Sequence, residues 1–229
     1  MRDSGILFGF RKPKRSWVMN YLTLVFDDGP HNPMCEIADK IKAYGWSAGF
    51  AIIGQNINDE TLPMLRYVIN NGFQLVSHGQ EHLHMEKIPT REEMINEIYL
   101  PIKTVKEKLN YEMTMTRLPY LSENSRALDA AKDLNLPVLG WGIHNASDWD
   151  TSVSPEAIAE AVLNSVCDGA IGCLHVRWNT CKALDTILPE LKKRDYCLVT
   201  PEEHFKIRGI TPPAGVPIHN VINFGAKPI

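Results

Sequence analysis

Short apolar runs rich in β-branched and aromatic residues alternate, from Tyr21 onward, with longer segments in which apolar residues recur at helical spacing. This alternation predicts an α/β fold, because parallel strands need long and usually helical crossovers. The number of strands favours an incomplete (β/α) barrel of about seven parallel strands. A doubly wound open sheet is the alternative, although the dinucleotide fingerprint GxGxxG is missing. The predicted strands are 21–26, 48–53, 73–76, 113–116, 137–141, 171–175 and 196–199.

Several predicted helices have recognisable starts. Thr90 followed by Glu93 is a capping-box pattern, and Ser154 followed by Pro155 is an N-cap followed by a first-turn proline. These signals indicate where the chain leaves a loop and enters a helix. The helices are expected at about 33–44, 60–71, 91–109, 125–134, 155–167 and 181–194.

The two ends of the chain differ in pattern from its middle. Residues 1–19 carry a small basic cluster before any periodic pattern begins, and we expect a solvated lead or linker there. Residues 20–206 carry all the predicted strands and are expected to form one domain. Residues 207–229 are rich in glycine and proline, which predicts an irregular tail that packs on the barrel or leads to another unit.

Composition and charge narrow the function classes. The 44% hydrophobic and 22% charged residues are typical of a globular domain, and the net charge of −3 gives no basic field for nucleic acid. No apolar window approaches the roughly 20 residues of a membrane span. The apolar stretch 6–10 is shorter than the core of a secretory signal peptide, about 7 to 15 residues. As given, the chain is expected to be cytoplasmic, while a secreted or cell-wall location and the oligomeric state stay open.

Polar residues gather where predicted strands end. The carboxyl ends of the strands in a (β/α) barrel meet at one mouth, where catalytic residues lie. Residues from five strand ends are therefore expected to converge there. They are Asp27 and Asp28, His78 and His82, Arg117 and Tyr120, Asp148, and His175.

One aspartate and two histidines can form a metal site. Neighbouring carboxylates on an extended strand point to opposite sides, so Asp27 and Asp28 cannot share one role. One of them can bind a metal while the other holds a water. His78 and His82 are four residues apart, and two histidines with one carboxylate leave an open coordination position, as in catalytic sites. The alternatives are an Asp-Gly-Pro turn, a surface loop, and His84 as a competing ligand.

The remaining polar strand ends suggest acid–base chemistry. A guanidinium at Arg117 can orient a carboxylate and keep it ionised, and a backbone N–H near Tyr120 can face an oxyanion. A carboxylate at Asp148 can raise the pKa of His175 and make it a proton donor. The plainer interpretations are a proline turn after Arg117 and a buried, hydrogen-bonded core histidine at 175.

Five sequence blocks, LVFDDGP, SHGQEH, RLPY, SDW and CLH, occur in the same order as in the polysaccharide deacetylases with a NodB homology domain, carbohydrate esterase family 4. The chain resembles this family from about Tyr21 to Lys206. The resemblance implies that residues 20–206 form a NodB-like domain with a distorted, usually incomplete (β/α) barrel. It also implies a divalent metal, zinc or else cobalt, nickel or manganese. The implied roles are Asp27 as general base oriented by Arg117; Asp28, His78 and His82 as metal ligands; His175 as general acid tuned by Asp148; the Tyr120 amide at the oxyanion; and Tyr120, Trp149 and Leu174 at the substrate.

The activity implied by this resemblance is hydrolysis of acetyl groups on an acetylated polysaccharide or oligosaccharide. Both N-acetyl groups of chitin or peptidoglycan and O-acetyl groups of xylan are consistent with it. A catalytically silent carbohydrate-binding relative and a small-molecule metal amidohydrolase are the alternatives.

Five features depart from the family pattern. Gly79 stands where Ser or Thr usually follows the first metal histidine, which removes a hydroxyl that can brace the loop. Cys173 replaces a Leu, Val176 follows the last histidine, and Leu121 stands where Gly is common. The stretch before Asp148 is about one residue longer than usual. These departures motivate the silent alternative.

Overall fold

The protein is described by a computed structural model for residues 19–143 and 146–223. The strands are β1 (Asn20–Gly29), β2 (Gly49–Ile52), β3 (Gln74–Ser77), β4 (Val138–Leu139), β5 (Ile171–His175), β6 (Tyr196–Leu198) and β7 (Pro217–Ile218). The α-helices are α1 (Met34–Lys42), α2 (Leu62–Asn70), α3 (Arg91–Leu109), α4 (Ser125–Asp133), α5 (Pro155–Ser165), α6 (Trp178–Lys193) and α7 (Pro201–Arg208).

The strands follow one another around an incomplete barrel wall. β1 pairs in parallel with β2, β5 and β6, and β2 pairs in parallel with β3. Beyond β3 the pairing continues only as single bridges, from Ser77 to Thr116 and from Thr116 to Val138, before β4 pairs with β7. The predicted α/β fold with a distorted barrel is confirmed.

Two predicted strands are shorter than expected. The strand expected at 113–116 is reduced to the bridge at Thr116, and the one expected at 137–141 to the two residues of β4. The buried Arg117 side chain lies against this part of the wall, where its guanidinium donates to the carbonyl oxygens of Leu139 at 3.4 Å and Gly140 at 2.7 Å.

The segment after residue 206 takes part in the barrel. Gly140 N–H donates to the Ile218 carbonyl at 2.9 Å, and Ile171 N–H donates to the His219 carbonyl at 3.0 Å. Ile218 and Val221 are buried in the inner core. The segment expected to be irregular therefore supplies a strand between β4 and β5. Residues 1–18 of the expected lead and 224–229 of the tail lie outside the described residues.

Alternate residues of β1 face two different cores. Leu24 and Phe26 pack with residues of the surrounding helices, whereas Val25 lies in the cluster inside the barrel. Asp27 continues the inward row of Val25 at the carboxyl end of the strand. The pleat of β1 thus carries a carboxylate to the mouth of the barrel.

The predicted helix starts are confirmed. Thr90 and Glu93 form a reciprocal capping box at the start of α3. Ser154 Oγ accepts a hydrogen bond from the backbone N–H of Ala157 at 3.2 Å, and Pro155 occupies the first turn of α5. No helix within the described residues combines the length and apolar character needed to cross a membrane.

Candidate active site

Asp28, His78 and His82 bring three ligand atoms to one point at the mouth of the barrel. Asp28 Oδ1 lies 3.7 Å from His78 Nε2 and 3.5 Å from His82 Nε2, and the two Nε2 atoms are 3.2 Å apart. Asp28 Oδ1 is buried and has no hydrogen-bond partner among the described residues. A buried, unpartnered carboxylate oxygen facing two imidazole nitrogens fits one divalent cation.

The backbone at the end of β1 brings both aspartates to the mouth. The β1–β2 pairing shifts register between Phe26 and Gly29, and Asp28 has a φ of 71°. This left-handed conformation is uncommon for a residue with a side chain, although aspartate tolerates it better than most. It breaks the alternation of an extended strand, so Asp27 and Asp28 serve neighbouring positions of the same site.

His78 and His82 both direct Nε2 towards Asp28. His78 is buried, and its Nδ1 lies 2.8 Å from the Arg117 carbonyl oxygen, so Nδ1 donates to that oxygen and Nε2 faces Asp28 and His82. Burial, followed by the charge of His78, lowers the pKa of His82 to about 4. His82 is therefore neutral near pH 7, which is the form that binds a metal.

Asp27 is held by a fully buried arginine. Arg117 Nη1 donates to Asp27 Oδ1 at 3.0 Å, and the same guanidinium donates to the carbonyl oxygens of Val25, Gly140 and Gly172. Burial alone would raise the pKa of Asp27, but Arg117, His78 and His175 together lower it. Asp27 is therefore an oriented carboxylate that stays ionised at neutral pH.

His175 and Asp148 form the second acid–base pair. His175 lies beside Asp27 in the β1–β5 register, and its Nδ1 is 2.8 Å from Asp148 Oδ1. Thr180 Oγ1 and the His175 backbone N–H both donate to Asp148 Oδ2, each at 2.6 Å. Burial alone would lower the pKa of His175, but the hydrogen bond and charge of Asp148 raise it. This arrangement favours the protonated imidazole, as a general acid requires.

Tyr120 and Trp149 lie at the exposed rim. Tyr120 has a φ of 54° and a side chain that is 55% exposed, with its ring centroid 4.6 Å from that of His82. Trp149 directly follows Asp148 and is 63% exposed. His84, the alternative ligand, stacks on Tyr120 and pairs with Glu86 instead of joining the metal-ligand cluster.

Leu174 is not brought to the mouth. It is fully buried and packs in the cluster between the sheet and the helices. Its neighbours Cys173 and His175 contact Asp27 and Asp148, respectively, at the opposite face of β5. The strand pleat explains the difference, because successive side chains point to opposite faces. The structure therefore does not support the expected contact of the Leu174 side chain with substrate.

Three further residues touch this cluster without having been predicted. Cys173 Sγ donates to Asp27 Oδ2 at 3.3 Å, and Arg177 Nη2 donates to Asp28 Oδ2 at 2.9 Å. Glu97 lies on α3 and accepts hydrogen bonds from the loop that carries His82. Cys173 was visible as a departure from the family pattern. A lone arginine or helical glutamate gives no comparable signal.

Comparison with known proteins relates this geometry to a family. A sequence profile described as polysaccharide deacetylase matches residues 18–139. The bifunctional xylanase/deacetylase of Pseudobutyrivibrio xylanivorans is 30% identical over 194 residues, covering 83% of this chain and 31% of that protein. The peptidoglycan-N-acetylglucosamine deacetylase of Listeria monocytogenes is 29% identical over 184 residues, covering 80% and 38%. The chain thus spans about a third of the length of these two relatives.

A solved structure supports the same relationship. The family 4 acetyl xylan esterase from Clostridium thermocellum superposes with a TM-score of 0.81 at 28% identity, covering 88% of this chain and 98% of that one. That esterase was solved in complex with a cobalt ion, so the expected use of a divalent metal is confirmed for the family. On the profile, the relatives and the fold, this chain belongs to the polysaccharide deacetylases of carbohydrate esterase family 4.

Proposed function

We propose that this chain is a metal-dependent deacetylase that hydrolyses acetyl groups on an acetylated polysaccharide or oligosaccharide and releases acetate. One observation carries the proposal. The ligand cluster of Asp28, His78 and His82, the Asp27–Arg117 pair and the His175–Asp148 pair meet at one barrel mouth. Asp27 Oδ2 lies 3.9 Å from His78 Nε2, so the carboxylate is close to both the ligand cluster and the proposed acid.

Asp28, His78 and His82 would hold the metal. When bound there, the ion would supply positive charge that polarises the acetyl carbonyl and makes a water more acidic. We assign zinc, because two imidazoles and one carboxylate are a ligand set typical of catalytic zinc. Cobalt, nickel and manganese remain candidates, since similar donor sets bind them too.

The acid and base act in sequence on the substrate. Asp27 accepts a proton from the water whose oxygen attacks the acetyl carbon, while Arg117 keeps the carboxylate oriented through Oδ1. The backbone N–H of Tyr120 is proposed to donate to the carbonyl oxygen as negative charge develops on it. His175 then donates a proton to the nitrogen or oxygen that leaves as the bond to the acetyl carbon breaks. The products are acetate and the free amine or hydroxyl of the sugar.

Both amide and ester substrates fit this chemistry, because the leaving atom needs only one proton from His175. Among the relatives, one is named for peptidoglycan N-acetylglucosamine and another for acetyl xylan. Trp149 at the rim is proposed to contact the substrate, since exposed aromatic rings can stack on the apolar face of a sugar.

The proposal is tested by measuring acetate release from chitooligosaccharide, peptidoglycan and acetylated xylan. The protein is first stripped with a chelator and then supplied with zinc or cobalt. Metal-restored release supports the proposed function, and the preferred substrate separates amide from ester hydrolysis. Metal binding without release from any of the three would contradict it and favour the silent carbohydrate-binding relative.

A further inference from the structure

The Glu97 carboxylate accepts hydrogen bonds from the residues on both sides of His82. It lies on α3 and is buried, although glutamate is rarely buried without partners. Its Oε1 accepts from the backbone N–H of Glu81 at 3.1 Å and from that of Leu83 at 3.2 Å. Its Oε2 lies 3.2 Å from the Glu81 nitrogen. The residues just before and just after His82 are therefore hydrogen-bonded to one carboxylate.

His82 needs such support because its backbone is strained. Its φ is 59°, in the left-handed region that a residue with a side chain rarely adopts. Strained conformations persist only where the surroundings hold them, and they are frequent at functional sites. Hydrogen bonds from two backbone N–H groups to one buried carboxylate can supply this support.

Gly79 makes room for the carboxylate. It has a φ of 80°, and a Cβ built on it would lie 2.6 Å from Glu97 Oε1 and 2.9 Å from Pro119 Cγ. The glycine that departs from the family pattern thus stands where the loop passes closely over Glu97. The Glu97 carboxylate hydrogen-bonds the loop at Glu81 and Leu83, and so supports the loop in place of the hydroxyl that Gly79 lacks.

The helix that carries Glu97 is itself hydrogen-bonded to β3. Ser77 Oγ at the end of β3 donates to the Ile98 carbonyl oxygen at 2.7 Å, one residue after Glu97. The same strand leads directly into His78. Both histidines are thereby placed relative to β3, His78 by the chain itself and His82 through α3 and Glu97.

We infer that Glu97 is a positioning residue that holds His82 in place as a metal ligand. The inference rests on the proposed metal site and goes beyond it, because it assigns a role to a residue outside the metal-ligand cluster. The proposed effect of Glu97 is to preorganise the His82 loop for metal binding. Without the carboxylate, the loop must be ordered when the metal binds, and the metal affinity falls.

The test compares Glu97→Ala with Glu93→Ala, the same substitution one helical turn earlier. Glu93 belongs to the capping box and bonds Thr90, so its loss weakens α3 without releasing the His82 loop. The zinc dissociation constant is measured by isothermal titration calorimetry on the full chain. We expect Glu97→Ala to bind zinc about 10- to 100-fold more weakly, the range typical of residues that orient metal ligands. Glu93→Ala is expected to keep a zinc dissociation constant within about twofold of wild type.

Glu97→Gln is the second variant if Glu97→Ala fails to fold. It keeps one acceptor oxygen, so a smaller loss of zinc affinity is expected.

A double-mutant cycle with His82→Ala separates positioning from general destabilisation. Once His82 is gone, Glu97→Ala should weaken zinc binding little further. Wild-type affinity in Glu97→Ala, or an equal loss with and without His82, would overturn the inference while leaving the proposed function intact. Failure of the wild-type chain to bind zinc or cobalt would instead overturn the metal site and the inference with it. The absorption spectrum of bound cobalt provides a further readout, since loss of a histidine ligand alters it.

Discussion

At the scale of single residues, neighbouring aspartates acquire different roles from their surroundings. Asp27 is paired with buried Arg117, whereas Asp28 turns through a positive φ and faces two imidazoles. The residue types and their order were enough to predict this pair and the histidines. The sequence did not indicate Glu97 or Arg177, because an isolated charged residue on a helix or loop is usually solvated.

Replacing Asp27 should separate catalysis from metal binding. Asp27→Asn keeps the size of the side chain but removes the proposed base, so we expect turnover to fall about 10²- to 10⁴-fold. Bound zinc, measured by atomic absorption after dialysis, should stay near the wild-type level. His78→Ala is the matched variant and should lose metal instead. Retained activity in Asp27→Asn would contradict its role as base.

Replacing Asp148 should change the pH dependence of turnover. The hydrogen bond and charge of Asp148 raise the pKa of His175 against the effect of burial, so Asp148→Asn should lower that pKa. Because His175 must be protonated to act, the alkaline limb of kcat/KM should move to lower pH. Asp150→Asn, at an exposed carboxylate that bonds Ser152, is the control. An unmoved alkaline limb in Asp148→Asn would count against His175 as the acid.

At the scale of elements, the positions of strand ends were more predictable than the strands themselves. The β1–β5 register places Asp27 beside His175. The strand predicted at 171–175 is confirmed, whereas β1 runs past its predicted end at 26 to Gly29. The strand expected at 113–116 forms only isolated bridges at Thr116. Leu174 lies on the face of β5 opposite to Cys173 and His175. Hydrophobic pattern alone could not reveal that the Arg117 side chain occupies backbone acceptors of the β4 segment.

His204 on α7 should make the fold sensitive to acid. It is fully buried beside Thr23, and burial followed by the charge of Arg208 lowers its pKa to about 4. The folded pKa is below the unfolded value, so this stability is present above about pH 6.5 and is lost as the pH falls towards 4. The contribution is on the order of 3 kcal/mol.

Urea unfolding at pH 7 and at pH 4.5 measures this effect. The loss of unfolding free energy between the two pH values should be smaller in His204→Gln than in wild type. His84→Gln, at a histidine near the surface, is the control. Equal losses in wild type and His204→Gln would contradict the prediction.

At the scale of the whole molecule, a late segment of the chain adds a strand to the incomplete barrel wall. β7 pairs with β4, and Ile218 lies fully buried in the inner core. The glycine and proline content of residues 207–229 predicted irregular backbone and packing on the barrel. A two-residue strand gives no periodic signal, so its insertion could not be predicted from the sequence.

Ile218 should therefore matter to the stability of the whole domain. Ile218→Ala is expected to lower the free energy of unfolding by about 2 to 5 kcal/mol, as truncation of a buried isoleucine typically does. Val216→Ala, two residues earlier and partly exposed, should cost about 0.5 kcal/mol or less. Chemical denaturation of both variants at pH 7 provides the comparison. A small effect at Ile218 would mean that the segment does not complete the core.

The central claim is that acetyl hydrolysis depends on a metal held by Asp28, His78 and His82. The most direct test is to titrate the chelated protein with zinc while recording acetate release from the best of the three glycans. We predict that release is abolished by chelation and is restored in proportion to zinc up to one equivalent per chain. Undiminished release from protein shown to be free of metal would contradict the account.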